Sequence, residues 1–252
     1  GQDSVSKHSF IDECKKAYSL IYDSIPELPF GNIWAAQQLS SRLPKDSTIH
    51  IGVSNTRRSW NIFPLPEGVE SSCNVGCCGI DGCTSAIRPD RLFYGVLGDL
   101  TFFYDLNVIG NRHVGNNVRI MLINNGRGAE FRLSIHYCAA FGQEADKYMA
   151  AAGHFGNQSP LLVKHFVEDL GYQYLSATTK EEYMKALKVF TNPQITDKPM
   201  IFEVFTQHEN ESEALNIMTY LDEKAATRRK VVDAVKSVTG EKGLNKLRKI
   251  FK

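Results

Sequence analysis

Apolar residues recur at helical spacing in FIDECKKAYSLIYDSI (10–25) and again in IWAAQQLSSRL (33–43), with ELPFGN between them. After the turn PKDS the period changes, and TIHIGV (48–53) reads as a short buried strand. EGVESSCNV (67–75) carries a second strand pattern and leads into the Gly-rich GCCGIDGCTSAI. RLFYGVL (91–97) and VRIMLI (118–123) are nearly continuous apolar runs, the type buried on both faces of a parallel sheet. Between them, 101–112 places Phe102, Phe103, Leu106 and Ile109 at helical spacing, which predicts a helix of about three turns. Downstream, LLVKHFVEDLG, KEEYMKALKVF and a long segment from 211 read as helices, with strands at YQYLSA (172–177) and KPMIFEVFT (198–206). The alternation predicts an α/β fold, a mostly parallel sheet with helices on both faces.

One stretch breaks the rhythm. Residues 127–160 are irregular, with a helix expected over 144–151. A connection this long without regular structure points to a loop that serves a site.

Composition narrows the classes. The chain has 252 residues, 42% hydrophobic and 23% charged, with a net charge of +1, so no overall field argues for nucleic acid or membrane partners. No apolar run reaches the roughly 18 residues of a membrane span. No secretory signal is visible at the start, and the expected location is cytoplasmic. Four of the six cysteines crowd into CNVGCCGIDGC, but the paired spacing of a zinc site is missing and no His lies nearby. They are expected to pack as small semi-apolar residues. The basic end, with Leu244, Leu247, Ile250 and Phe251 at helical spacing, is expected to be a helix with a solvated charged face rather than a lipid-binding one.

The candidate chemistry lies at two strand ends. Asp99 follows RLFYGVLG, and Asn124 and Asn125 follow VRIMLI, so one βαβ crossover brings both loops to the carboxyl edge of a parallel sheet, where open α/β folds bind ligands. A carboxylate, an amide oxygen and a backbone carbonyl suit Mg²⁺, which takes its other ligands from water and phosphates. A helix starting near Leu100 would turn its free N–H groups toward the same anion. Gly126 and Gly128 in NNGRG permit a sharp turn and close approach. Alone, Asp99 is better explained as a helix cap, as in a phosphate- or nucleotide-binding module without catalysis.

Together, GDLTFFYDLN and LINNGRGAEF resemble the cofactor motif of thiamine diphosphate enzymes, which runs from Gly-Asp to Asn-Asn across a βαβ unit. Leu100 in place of the usual Gly, the following DLN, NVGCCGIDG and the looser GVSNTRRS are similar to the 2-succinyl-5-enolpyruvyl-6-hydroxy-3-cyclohexene-1-carboxylate synthase family of menaquinone biosynthesis. The resemblance covers roughly residues 28–220. It implies a thiamine diphosphate- and Mg²⁺-dependent decarboxylase and carboligase, acting in that family on 2-oxoglutarate and isochorismate. Asp99, Asn125 and the carbonyl of Arg127 become the magnesium ligands. Gly98, Leu100 and Thr101 become the diphosphate contacts, and Ile80 the wedge between the two cofactor rings. Ser54, Arg58 and Phe131 match positions that face substrate.

Two departures stand out. Val75 replaces an Arg of the family motif, and Glu130 replaces an apolar residue. Both bear on the substrate rather than the cofactor, so a different 2-oxo acid or acceptor is an alternative. Nothing here resembles the pyrimidine-binding domain whose Glu activates the cofactor in that family. The resemblance therefore implies a linker helix over 1–30, a cofactor domain over 31–222 and a basic extension over 223–252 of a longer enzyme, inactive alone. The pyrimidine-binding domain would come from a second subunit. Of the histidines, His113, His136, His154 and His165, none is expected to be catalytic.

Overall fold

The computed structural model describes residues 3–74, 80, 82, 88–133, 136–154 and 159–221. Cys77, Cys78 and Cys83, the position of Val75 and the basic extension lie outside the described residues. The chain divides into two compact units, one of residues 28–215 and one formed by 1–27 with 216–252. In the second, the described structure is the helix α1 (Asp3–Asp23) and the last turn of the helix that ends at Thr219.

The larger unit is built on six strands: β1 (Thr48–Ile51), β2 (Glu70–Cys73), β3 (Phe93–Gly98), β4 (Val118–Asn124), β5 (Gln173–Ala177) and β6 (Met200–Phe205). All pairings are parallel, in the order β2-β1-β3-β4-β6-β5. Burial follows position. Every residue of β4 is buried, as are the first five of β3 and of β6, while β2 exposes most of its residues at one edge. This matches the continuous apolar character of FYGVL and MIFEV, since parallel strands covered on both faces have no solvent side to alternate with.

The helices are α2 (Asn32–Ser40), α3 (Asn55–Trp60), α4 (Asp99–Tyr104), α5 (Leu162–Asp169), α6 (Lys180–Phe190) and α7 (His208–Thr219). Burial of Leu97, Phe102, Ile109, Leu122, Val163 and Val167 against one another forms one side of the core. Two helical expectations need correction. The segment 101–112 is not one three-turn helix: α4 ends at Tyr104, and Leu106–Gly110 continues as a 3₁₀ turn. The helix expected over 144–151 is 3₁₀ winding, over Tyr137–Tyr148 and Ala150–Ala152, broken where Gly142 takes φ 58°. Neither 3₁₀ segment from 137 onward buries a residue, so neither has the apolar face that tertiary packing needs to hold an α-helix.

The strand order reverses between β1 and β3: the chain steps from β1 outward to β2, then returns to β3 on the other side. Loops leaving the carboxyl ends of β1 and β3 therefore diverge and leave a crevice, the place where open α/β sheets bind ligands.

Candidate functional site

A cavity of about 260 Å³ opens at that crevice. Its walls come from the loop after β1, the β3–α4 junction and the loop after β4. Gly98, Asp99, Leu100 and Thr101 supply one side, Asn125 and Arg127 the next. Ile80, Ser54 and Phe131 complete the wall. Arg58 does not line the cavity, although its partner Glu130 does.

Asp99 is buried, 2% exposed, at the first position of α4. Its Oδ1 accepts the Leu100 backbone N–H at 2.8 Å, and its Oδ2 lies 2.9 Å from Nε2 of His154. The His154 ring rests on Phe103, centroids 4.9 Å apart, with its Nδ1 buried and without a partner. His154 is thus brought to the acidic residue from 55 positions away, a meeting no local pattern encodes. A cation at Asp99 would share or replace this contact.

The two asparagines after β4 have separate tasks. Asn124 donates from Nδ2 to Glu203 Oε1 at 2.7 Å and accepts the Gly126 N–H at 3.2 Å, so it is committed to the scaffold. Asn125 accepts the Arg127 N–H at 3.3 Å and borders the cavity. Gly126 makes this turn possible with φ 81°, a backbone region where side chains are disfavoured. At Gly128 a Cβ would come within 2.9 Å of the Ala151 Cβ and 3.0 Å of Leu100, which explains that glycine by close packing. The Gly128 N–H also donates to the Ala151 carbonyl at 2.6 Å, tying the 3₁₀ segment to the site.

Gly98 is different. A Cβ there would meet only the Thr56 hydroxyl, at 3.9 Å, so protein packing does not require a glycine. The open space belongs to the cavity, directly over the strand end.

Electrostatics around this edge are acidic. Glu203 is buried and accepts from Asn124 and from the Tyr174 hydroxyl, both at 2.7 Å. Burial pushes its carboxyl above the ordinary range, and the negative charge of Asp99 adds to that. Glu211, 1% exposed, accepts the Asn32 backbone N–H on both oxygens (3.1 and 3.0 Å) and the Thr206 hydroxyl at 2.9 Å. Burial pushes its pKa up to about 7 against the pull of these donors, with Asp99 again contributing. Through Asn32 and, at 3.4 Å, Asn55, Glu211 braces the starts of α2 and α3.

Ser54, at the end of the β1 loop, has φ 62° and ψ −124°, a conformation that non-glycine residues adopt at a cost of about 1–3 kcal/mol. Such strain concentrates where a loop is shaped for a ligand. Arg58, on α3, is held by Glu130 through two parallel bonds, Nη1–Oε2 at 2.8 Å and Nη2–Oε1 at 3.0 Å. The carboxylate raises the Arg58 pKa further. Arg127 pairs with Asp146 at 2.8 Å, and Arg132 pairs with the other oxygen of the same carboxylate at 2.6 Å. The two guanidiniums, Arg127 first, hold the Asp146 carboxyl below the usual range.

Among the described residues no group of three or more His, Cys, Asp or Glu side chains is placed to hold a metal. Asp99, Asn125 and Arg127 line the cavity, and they carry donors of another kind: a carboxylate, an amide oxygen and a backbone carbonyl. That hard oxygen set fits Mg²⁺, with positions left for water and phosphate. The gap above Gly98 fits a ligand portion seated on the strand end.

The chain is 32% identical over 195 residues to the 2-succinyl-5-enolpyruvyl-6-hydroxy-3-cyclohexene-1-carboxylate synthase of Bacteroides fragilis, covering 75% of this chain and 34% of that one. With the synthase of Bacteroides thetaiotaomicron it shares 30% identity over 214 residues, 81% of this chain and 37% of the relative. This chain is a relative of the synthases of that name. It spans about a third of their length. Among solved structures, it aligns with a Rhodococcus jostii RHA1 thiamine diphosphate-dependent 4-hydroxybenzoylformate decarboxylase at TM-score 0.50 and 16% identity, over 72% of this chain and 33% of that one, a likeness of fold. No family model matches the chain.

Proposed function

We propose that this chain is the diphosphate- and Mg²⁺-binding domain of a thiamine diphosphate-dependent enzyme that decarboxylates a 2-oxo acid and joins the product to an acceptor. The observation that supports this reading is that Asp99, Asn125 and Arg127 line one cavity at the sheet's switch point, with the space over Gly98 left open. The relationship to the Bacteroides synthases supports it.

In this reading Asp99, Asn125 and the Arg127 carbonyl would hold Mg²⁺, whose charge would offset that of the diphosphate. Gly98 gives the diphosphate room, and the backbone around Leu100 and the Thr101 hydroxyl offer it donors. Ile80 supports the cofactor body from the side. Bound thiamine diphosphate supplies an electron sink for the carbon–carbon bond that breaks as carbon dioxide leaves. The apolar wall of Val53, Ile80, Ile123 and Phe131 excludes water, which strengthens every charge interaction within. The group that activates the cofactor would come from a pyrimidine-binding domain, in the same longer chain or a second subunit.

Titration calorimetry of the full chain with thiamine diphosphate tests this. Binding is expected with Mg²⁺ and lost in excess EDTA. Equal heats in both conditions, or none in either even with a pyrimidine-binding domain of a related synthase supplied, would overturn the assignment in favour of a non-catalytic module.

A further inference from the structure

The geometry points to Glu130 as a specificity-determining residue: by clasping Arg58 it removes the free cation from the cavity's substrate side and restricts the site to 2-oxo acids with an uncharged, apolar chain. This rests on the proposed function, that the cavity accepts a 2-oxo acid.

The clasp is bidentate, 2.8 and 3.0 Å, and uses both terminal nitrogens of the guanidinium. A planar fork of this kind satisfies one carboxylate fully, so a second carboxylate arriving at Arg58 must displace the first. Glu130 lines the cavity and Arg58 does not, so Arg58 is tied to the site through the acid. The side chains are 33% and 24% exposed, so solvent screens the pair less than an open surface pair and an incoming carboxylate finds it harder to part. Among the described residues of the wall, the cationic side chain is Arg127, and Asp146 already holds it. The remaining apolar surface not given to the cofactor comes from Val53 and Phe131. A distal carboxylate placed there would lose its water, gain no unpaired cation and face Glu130. An alkyl or aryl chain would lose nothing and bury apolar area.

The test uses ligand-observed NMR with two probes, succinate and pentanoate, on the full chain without cofactor. The chain should bind pentanoate in preference to succinate. Glu130→Ala should tighten succinate binding at least tenfold, and adding Arg58→Ala should abolish that gain. Glu130→Gln, which keeps the shape and removes the charge, serves as the second variant and should show a smaller gain; circular dichroism checks that each variant is folded. Succinate bound equally well by the unaltered chain, or no succinate gained by either single variant, overturns the proposal. Because no cofactor is present, these outcomes are separate from the thiamine diphosphate titration, which alone decides the function proposed above.

Discussion

At the amino end of the sheet the buried charge is a cation, Arg119, while at the carboxyl end it is a set of acids, Asp99, Glu203 and Glu211. Arg119, fully buried near the start of β4, donates to the Tyr94 hydroxyl and to the carbonyls of Phe190 (both 2.8 Å), Asn192 (2.5 Å) and Gln194 (2.6 Å). Its guanidinium also lies over the Tyr94 ring, 5.6 Å from the centroid. Backbone oxygens hold both terminal nitrogens and so fasten the α6–β6 connection, while the buried Nε is left without a partner. The acids are also hydrogen-bonded, yet burial lifts Glu203 and Glu211, and the negative charge of Asp99 adds to both. The same sheet thus has a scaffold end whose cation is held by backbone oxygens and a site end whose buried acids are pushed toward their neutral forms. A cation bound beside Asp99 would relieve that crowding of acids, so it is the strain among buried charges, rather than buried charge as such, that separates the two ends.

Arg119→Met breaks the scaffold end. It removes a buried donor from the Phe190, Asn192 and Gln194 carbonyls, of which Phe190 keeps the Tyr94 hydroxyl, and equilibrium urea unfolding should show a loss of roughly 3 kcal/mol. A smaller response, below about 1 kcal/mol, would mean water reaches this end and the comparison fails.

Glu211 sharpens the site end. Its pKa of about 7 when folded, against an ordinary 4.5, means that between these values the folded chain holds more protons than the unfolded one. Its contribution to stability therefore falls as pH rises through that window and is level above it, by at most about 3 kcal/mol. In Glu211→Gln that slope should vanish, so the variant gains on the parent from pH 5 to pH 8 in parallel denaturation curves. An unchanged slope would place the acid in water.

A double-mutant cycle on Arg58 and Glu130 should give a coupling of about 1 kcal/mol, since the bidentate geometry is good but the pair is partly solvated. The smallest effect is expected for Ser54→Gly, which relieves the strained backbone and should raise the unfolding midpoint by the equivalent of about 1 kcal/mol or less.

The strands were legible because a central parallel strand writes its burial on both faces: Phe93–Gly98 and Val118–Asn124 could be read directly from FYGVLG and VRIMLIN. So could the meeting of Asp99 with Asn125, because one crossover fixes which strand ends face together. What escaped was long-range. Within VRIMLI the single Arg119 interrupts an apolar run, and only the carbonyls of a distant loop make its burial tolerable. The helix α3 reads NTRRSW, too short and polar to carry a period, and it forms around the buried Trp60. Arg58 with Glu130, and Asp99 with His154, are 72 and 55 residues apart and meet only after the sheet has assembled. The 3₁₀ windings from 137 to 152 defeated the helical reading because local propensity was present there without an apolar face to bury.

The central claim is that Asp99 and Asn125 hold a divalent cation that in turn holds a diphosphate. Mn²⁺, which shares the preference of Mg²⁺ for carboxylate and carbonyl oxygen, reports this directly by electron paramagnetic resonance. With thiamine diphosphate present, the full chain should remove Mn²⁺ from the free-ion signal. Asp99→Ala and Asn125→Ala should restore that signal with circular dichroism unchanged. Mn²⁺ that stays free beside the unaltered chain, or stays bound to Asp99→Ala, would contradict the account.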